Sequence, residues 1–193
     1  YASLGDVYSQ TTRFLGMKIL EHEYKVMGLA AYAKKKYFMD TYKRVFKDIL
    51  WLSKNRPLTF RSRFDMTYFE NYLRKVAVGE RFDNIAGALQ FFLEDIVIKW
   101  IKESIKHTGI SEVITSGGVF MNVKLNKLIQ ELPEVTKVDF MPSCGDESLP
   151  FGAAYKVWKD NNPDKYFIPT EHIYLGTHYS SKDIESFIEE NDI

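Results

Sequence analysis

Thr115-Ser116-Gly117-Gly118-Val119-Phe120-Met121-Asn122, followed downstream by Met141-Pro142-Ser143-Cys144-Gly145-Asp146-Glu147-Ser148, decides how this chain is read. Each stretch comes after a β-branched or apolar run, residues 113–115 and residues 137–141, and each precedes a helical pattern. Each is therefore a loop leaving the carboxyl end of a strand. Two such units in tandem predict parallel strands joined by a right-handed crossover, so both loops open at one sheet edge, where open α/β sheets bind ligands. The glycine pair, Gly117 and Gly118, lets backbone N–H groups approach an anion with a helix N-terminus behind them. Asp146 adds a carboxylate at the mouth of the neighbouring strand. A phosphate cradle beside a carboxylate suggests a nucleotide and a metal. Alone, a glycine pair is usually a tight turn and Asp146 an N-cap; their parallel placement favours a ligand.

Working outward, Asp83 reads as the N-cap of a long helix to about His107, closed by Gly109. Its apolar residues fall on more than one side, Ile85, Leu89, Leu93, Ile96 and Trp100 on one and Phe91, Ile98, Ile101 and Ile105 on others. That pattern predicts a buried central helix. Gln90 and Glu94, four apart on it, either support a site or face water. Closer to the amino end, a helix from Asp6 closes at Gly16 and a second runs over Glu23–Ala30. Gly28, Ala30, Ala31 and Ala33 are small enough to admit a close partner. Lys34, Lys35 and Lys36 read as a solvated run at a helix C-terminus. Residues 40–50 suggest another helix, residues 57–64 a strand or hairpin, and Asp65 caps a helix to about Val76. Arg56, Arg61 and Arg63 face either a substrate or solvent, with solvent favoured. After the Asp146 loop a helix reaches about Lys159, Pro163 and Pro169 mark a linker, and Ser180 or Ser181 caps a final helix.

Composition narrows the partners. At 193 residues and 45% hydrophobic content the chain has material for a core of its own. Lys+Arg and Asp+Glu number 26 each, so no net field draws it to nucleic acid or to an anionic membrane. One cysteine excludes an intrachain disulfide framework, and no apolar run reaches the length of a membrane span. A soluble, cytoplasmic protein is the expectation. Cys144 has no histidine in a motif beside it and reads as a small buried thiol rather than a nucleophile. His22, His107, His172 and His178 show no metal-ligand spacing and read as structural. The sequence opens at Tyr1 and ends within a charged helical pattern, which reads as a piece of a longer polypeptide.

A set of stretches in order gives the chain a family resemblance: Asp6-Val7-Tyr8-Ser9-Gln10-Thr11-Thr12, Glu23 to Ala30, the Gln90 to Glu94 helix, Gly117 to Asn122 and on to Asn126, Cys144-Gly145-Asp146, Gly152-Ala153-Ala154, and His172-Ile173-Tyr174-Leu175-Gly176. Together they resemble the carbamoyltransferases that modify antibiotics and nodulation factors. The resemblance implies an α/β, helix-rich lobe of the actin, sugar-kinase and chaperone ATPase superfold, which is ribonuclease H-like, with a short parallel sheet. It implies a reaction in which carbamoyl phosphate and ATP give carbamoyl-adenylate, whose carbamoyl group passes to a substrate hydroxyl beside iron or another divalent metal. It matches residues 1–162 to the second lobe of the N-terminal domain and residues 163–193 to the segment leading to a C-terminal domain. The first lobe, with the family's paired histidine ligands, and the C-terminal domain would be the partners of this chain within one polypeptide. Residue by residue, Asp146 matches the carboxylate completing the metal site, Gly117 and Gly118 the loop against the nucleotide, and Asn122, one turn into its helix, the side chain reaching the ribose or acyl phosphate. Lys25 lies in a motif facing the same cleft. Ala31-Tyr32-Ala33 replaces a common Pro-Tyr-Gly and Ser148 a usual glycine, departures that bear on loop geometry and substrate choice. A non-catalytic module of the same superfold that binds a nucleotide or a protein is the alternative.

Overall fold

The computed structural model describes residues 2–167, 174 and 176–191. They fall into two units, Tyr1–Pro150 and Phe151–Ile193. In the first unit the helices are α1 (Leu4–Phe14), α2 (Glu23–Ala30), α3 (Lys35–Thr41), α4 (Phe69–Val76), α5 (Phe82–Thr108) and α6 (Val123–Gln130), and the strands are β1 (Leu50–Leu52), β2 (Phe60–Ser62), β3 (Glu112–Thr115) and β4 (Lys137–Phe140). The chain is thus α/β and rich in helix. α7 (Leu149–Asn161) starts at the unit boundary, and α8 (Ser181–Glu190) lies in the second unit.

α5 organises the first unit. Its Ile85, Leu89, Leu93, Ile96, Val97 and Ile101 are all buried, as the apolar residues on several faces required. The helix starts earlier than expected: Arg81 is the N-cap, and Asp83 sits in the first turn, where its carboxylate takes both the Arg81 guanidinium and the Asn84 N–H. A carboxylate one residue inside the helix still faces the positive end of the dipole, which is why the sequence signal was real and its position shifted. Gly109 closes the helix at φ +71°, a left-handed C-cap that donates to the Ile105 carbonyl.

The amino-terminal elements wrap this helix. Ser3 caps α1, accepting from the Asp6 N–H, so α1 begins before Asp6, and Gly16 follows it at φ +77°. Residues 40–50 are not one helix. α3 runs into a π-helical turn, Tyr42–Phe46, closed by Lys47 N–H to the Tyr42 carbonyl at 2.8 Å, and the chain then enters β1. Lys34 to Lys36 accordingly stand at the start of α3, not at a helix C-terminus, and remain exposed. Residues 57–64 hold one strand, β2, the first of the two alternatives expected there; it pairs antiparallel with β1, which lies outside that stretch, and Asp65 caps the turn leading into α4. Phe46, Phe69 and Phe92 pack at ring separations of 5.9 and 6.0 Å at the centre of the core. Arg56, Arg61 and Arg63 are exposed, as the solvent reading had it.

β3 and β4 pair in parallel, Glu112 opposite Lys137 through Thr115 opposite Phe140. Val113, Thr115, Val138 and Phe140 turn inward; Glu112, Ile114, Lys137 and Asp139 turn out, with Ile114 82% exposed. Among the described residues no strand pairs with the other edge of β3. A groove of about 370 Å³ runs beside it, lined chiefly by Trp100, Ile105, Ile110, Val113, Ile114 and Phe120. In the second unit the Phe167 ring meets Tyr155 of α7 edge-on and Trp158 at a tilt, and Ser180 forms a reciprocal capping box with Asp183 at the start of α8. Pro169, His172 and most of the 172–176 motif lie outside the described residues.

The small residues of α2 and its exit do admit a close partner, at one point. A Cβ on Gly87 of α5 would stand 2.5 Å from the Ala33 Cβ and 2.9 Å from the Phe38 ring, whereas one on Gly28 would meet nothing. Gly87→Ala is therefore expected to destabilise by about 1–3 kcal/mol through overpacking. Gly28→Ala, exposed on a helix, is expected to stabilise by about 0.5–1 kcal/mol. Urea midpoints of the two variants check the opposite signs.

Candidate functional site

The two loops leave the same end of the parallel pair, as the tandem pattern required. After Thr115 the chain passes through Ser116 to Gly117, whose φ of +103° and ψ of 148° belong to a region essentially closed to residues with a Cβ. Gly118 then opens a short 3₁₀ turn, Gly118–Met121, with Phe120 N–H bonded to the Gly117 carbonyl at 2.9 Å. Gly118 itself needs no special backbone. A Cβ there would meet open space, so within this chain nothing requires a glycine. Ser116, Gly117 and Gly118 are all exposed.

Asn122 is not one turn into the helix but at the N-cap of α6, because the 3₁₀ turn consumes the residues that the glycine loop had been expected to give directly to the helix. Its Oδ1 accepts the Leu125 N–H at 3.0 Å, and the whole residue is 8% exposed. Asn126, one turn on, donates from Nδ2 to the Phe120 carbonyl at 2.7 Å and so ties the turn down from the helix side. Two buried polar oxygens beside this loop have no hydrogen-bond partner among the described residues, Thr115 Oγ1 and Asn126 Oδ1.

Beneath the turn lies a buried polar network. Gln90, 1% exposed, donates from Nε2 to Asn122 Oδ1 at 3.0 Å and accepts from Asn122 Nδ2 at its own Oε1, 2.9 Å. The Tyr8 hydroxyl donates to the same Oε1 at 3.2 Å, and Gln90 Nε2 donates to Glu94 Oε1 at 2.9 Å. Glu94 in turn pairs with Lys124 of α6 at 3.2 Å. On the α2 side, Glu23 accepts from Ser9 Oγ and from the Leu20 N–H, both at 2.8 Å. Gln90 is thus far from the exposed surface residue that helix position alone allowed. Tyr8 and Glu23 lie in stretches that carry the family resemblance but receive no role from it, and Lys124 is not singled out; the signal for the network itself is a Gln and a Glu four apart on a helix otherwise apolar all round.

Lys25 is exposed, with its ammonium over the Tyr24 ring 5.8 Å from the centroid, and has no hydrogen bond or ion pair with Gly117, Gly118, Asn122 or Asp146. The neighbour that turns inward from its motif is Glu23. In the second loop Asp146 is exposed, and its carboxylate makes no hydrogen bond or ion pair among the described residues. The Asp146–Ser148 turn has Gly145 as its N-cap and no side-chain cap; the carboxylate that is engaged here is that of Glu147, which accepts from Ser143 Oγ at 2.6 Å and from the Gly145 N–H at 3.2 Å. The hydrogen bond from Ser143, then those from backbone N–H groups, hold the Glu147 carboxyl below the usual carboxylate range. Cys144 is buried and donates to the Met141 carbonyl, and burial, followed by the Glu147 charge, pushes its thiol up. That is an inert thiol. No group of three or more His, Cys, Asp or Glu side chains placed to hold a metal occurs among the described residues.

The carbamoyltransferase N-terminus model matches residues 1–155. The chain belongs to that family. The uncharacterized protein sll1178 of Synechocystis is 25% identical over 96% of this chain and 33% of its own length. The nodulation protein NolO of Bradyrhizobium diazoefficiens is 28% identical over 86% of the chain and 32% of its own length, and the nodulation protein NolNO of Sinorhizobium fredii is 27% identical over 79% and 22%. The chain thus spans about a third or less of the curated relatives it matches. The carbamoyltransferase N-terminus match covers both loops and the whole Tyr8–Gln90–Asn122 network. No helix of the described residues is long and apolar enough to cross a membrane.

The network has a titration signature. Burial first, then the charges of Glu23 and Glu94, push the Tyr8 phenol far above its ordinary 10.0. Above about pH 10 the unfolded chain releases this proton and the folded chain keeps it, so stability falls as pH rises, by about 1.4 kcal/mol per unit. Tyr42 is shifted the same way, chiefly by burial, so the measurement is a difference. Between about pH 9 and pH 11, Tyr8→Phe is expected to flatten the loss of stability measured by urea denaturation relative to the unaltered protein.

Proposed function

We propose that this chain is the part of a carbamoyltransferase that forms one wall of its nucleotide site and contributes one carboxylate to its metal site. In this reading carbamoyl phosphate and ATP are the sources of carbamoyl-adenylate. The hydroxyl oxygen of an acceptor forms a bond to the carbamoyl carbon, the bond to the adenylate oxygen breaks, AMP leaves, and the hydroxyl proton passes to solvent or to a base. The lobe belongs to the superfold of actin, sugar kinases and chaperone ATPases, with the remaining lobe and the adenylate-forming domain supplied by the rest of the polypeptide.

The observation that carries the reading is the open space over Gly118 in the exposed loop after β3, together with a carboxylate, Asp146 in the loop after its parallel neighbour β4, that makes no hydrogen bond or ion pair among the described residues. Gly117 lends the backbone conformation that turns the loop outward, and the N–H groups of Gly118 and Val119, which open the 3₁₀ turn before its own hydrogen bonds begin, are the donors for a phosphate or acyl-phosphate oxygen. The unpartnered Thr115 Oγ1 and Asn126 Oδ1 flank that loop and fit a polar ligand or its water. Asp146 is a hard oxygen donor and fits iron or another divalent cation, as one ligand of a set completed by other parts of the enzyme. When bound, the metal supplies positive charge that polarises a carbonyl or phosphoryl oxygen. Asn122, turned inward, acts by fixing the loop, and Lys25 contributes charge to the wider cleft rather than a contact to the loop.

Two substitutions in the complete polypeptide separate ligand chemistry from folding. Gly118→Ala adds a methyl group where the chain leaves room, so the melting temperature is expected to hold while ADP affinity and carbamoyl transfer fall about tenfold or more. Unchanged affinity would remove the loop from the nucleotide site. Asp146→Asn breaks no bond within the described residues, so it is expected to lower metal content by elemental analysis, and transfer with it, at unchanged melting temperature. Full metal and full transfer in that variant would sink the metal assignment.

A further inference from the structure

We infer that Gln90 is a positioning residue of this site: from inside α5 it locks the Asn122 amide in one orientation and so fixes the turn, Gly118–Met121, whose leading N–H groups, those of Gly118 and Val119, are the ones the proposed function assigns to the ligand. The inference rests on the proposed nucleotide role of that loop, but its first half concerns the turn alone.

The lock follows from counting donors and acceptors. Both Nε2 hydrogens of Gln90 are used, one on Asn122 Oδ1 and one on Glu94 Oε1, and its Oε1 receives two, from Tyr8 and from Asn122 Nδ2. No capacity remains. The orientation of each amide is set by a group that cannot exchange roles. An ionised Glu94 only accepts, so Nε2 rather than Oε1 must face it; the Leu125 N–H only donates, so Oδ1 rather than Nδ2 of Asn122 must face it. With both ends pinned, the two amides meet donor to acceptor in both directions. Tyr8 holds its proton through the physiological range, because burial, Glu23 and Glu94 all oppose its ionisation, and remains a donor throughout.

Asn122 carries this order to the loop. Its backbone N–H closes the 3₁₀ turn on the Val119 carbonyl at 3.2 Å, and its side chain starts α6. Rotation of the Asn122 amide would remove the Leu125 cap and the Gln90 contact together. The start of α1 lies against the same turn: a Cβ on Gly5 would stand in ordinary contact with Val119 Cγ2, at 3.9 Å. The loop's outward face is thus free, and its inward face is held by side chains from α1 and α5 that are distant in sequence. Gln90 touches no exposed atom of the loop. It acts through Asn122.

The test uses Gln90→Met and Gln90→Glu in the complete polypeptide, with Gly87→Ala as a control that destabilises α5 away from the loop. Backbone amide hydrogen exchange is followed without ligand, and ADP binding by calorimetry. Gln90→Met is expected to speed exchange at residues 118–125 about tenfold or more and to weaken ADP binding by a similar factor, while β4 and the second half of α5 exchange as before. Gln90→Glu is expected to match it near neutral pH and to recover part of the loss as the pH is lowered, since the introduced carboxyl, once protonated, again donates to Glu94 or Asn122. The control is expected to lose stability and keep ADP affinity. Should Gln90→Met prove too unstable to study, Tyr8→Phe, which removes one of the four bonds to Gln90, is expected to show the same changes to a smaller extent. Unchanged exchange at 118–125 in the Gln90 variants, or the same loss of ADP affinity in Gly87→Ala, overturns the inference. Faster exchange at 118–125 with unchanged ADP affinity supports the positioning role and overturns the nucleotide reading of the loop instead.

Discussion

Two primary amides facing each other inside the protein, Gln90 and Asn122, are the constraint to which the rest of the first unit is arranged. A buried amide without partners costs about 1–3 kcal/mol, and this pair leaves almost nothing unmet because three other groups bond to it and a fourth, Lys124, holds Glu94 from outside. Tyr8 comes from α1, Glu94 from one turn further along α5, and Leu125 and Lys124 from α6. Sequence separations of 82 and 32 residues are bridged in this one place. Displacing any of the three helices breaks bonds in the other two, so a network of uncharged and charged groups does what apolar packing alone leaves undetermined: it specifies one registration of α1, α5 and α6.

The apolar core then supplies mass rather than direction. α5 buries residues on several faces, the Phe46, Phe69 and Phe92 rings fill the space beside it, and Gly87 brings Ala33, just after α2, to within contact. At the loop the distribution of constraint reverses. Gly117 is demanded by backbone geometry, whereas among the described residues nothing demands a glycine at 118, and the Asp146 carboxylate makes no bond there while its neighbour Glu147 accepts from Ser143 and Gly145. The proposed nucleotide and metal roles rest on residues that the described fold does not need, standing at the open end of a parallel pair.

Much of this was legible in the sequence because it depends on short-range rules. The parallel pair and its two loops follow from β-branched runs ending in Gly-Gly and Gly-Asp, and the burial of α5 follows from apolar residues on more than one side. The errors have local causes as well. A 3₁₀ turn placed Asn122 at a cap, a π turn ended the third helix early and released β1, and Asp83 sits inside the first turn of the helix it was expected to cap. What sequence could not supply was the partnership of Tyr8, Gln90 and Asn122. Periodicity places each on its helix, but which groups meet inside the core is decided by three-dimensional packing that no window of neighbouring residues contains. The inward turn of Glu23 and the outward turn of Lys25, two residues apart, make the same point.

The unpaired edge of β3 has a consequence for handling the protein. It presents backbone donors and acceptors in a row, next to an exposed Ile114 and an apolar groove, which is a template for strand addition by another chain. Repulsion between molecules is the usual brake on such contacts, and this chain, with an isoelectric point near 7.1, has almost none at neutral pH. Its colloidal stability as a separate piece should therefore be lowest near neutrality and improve on moving a unit or two away, a behaviour set by one edge of a two-stranded sheet rather than by the core.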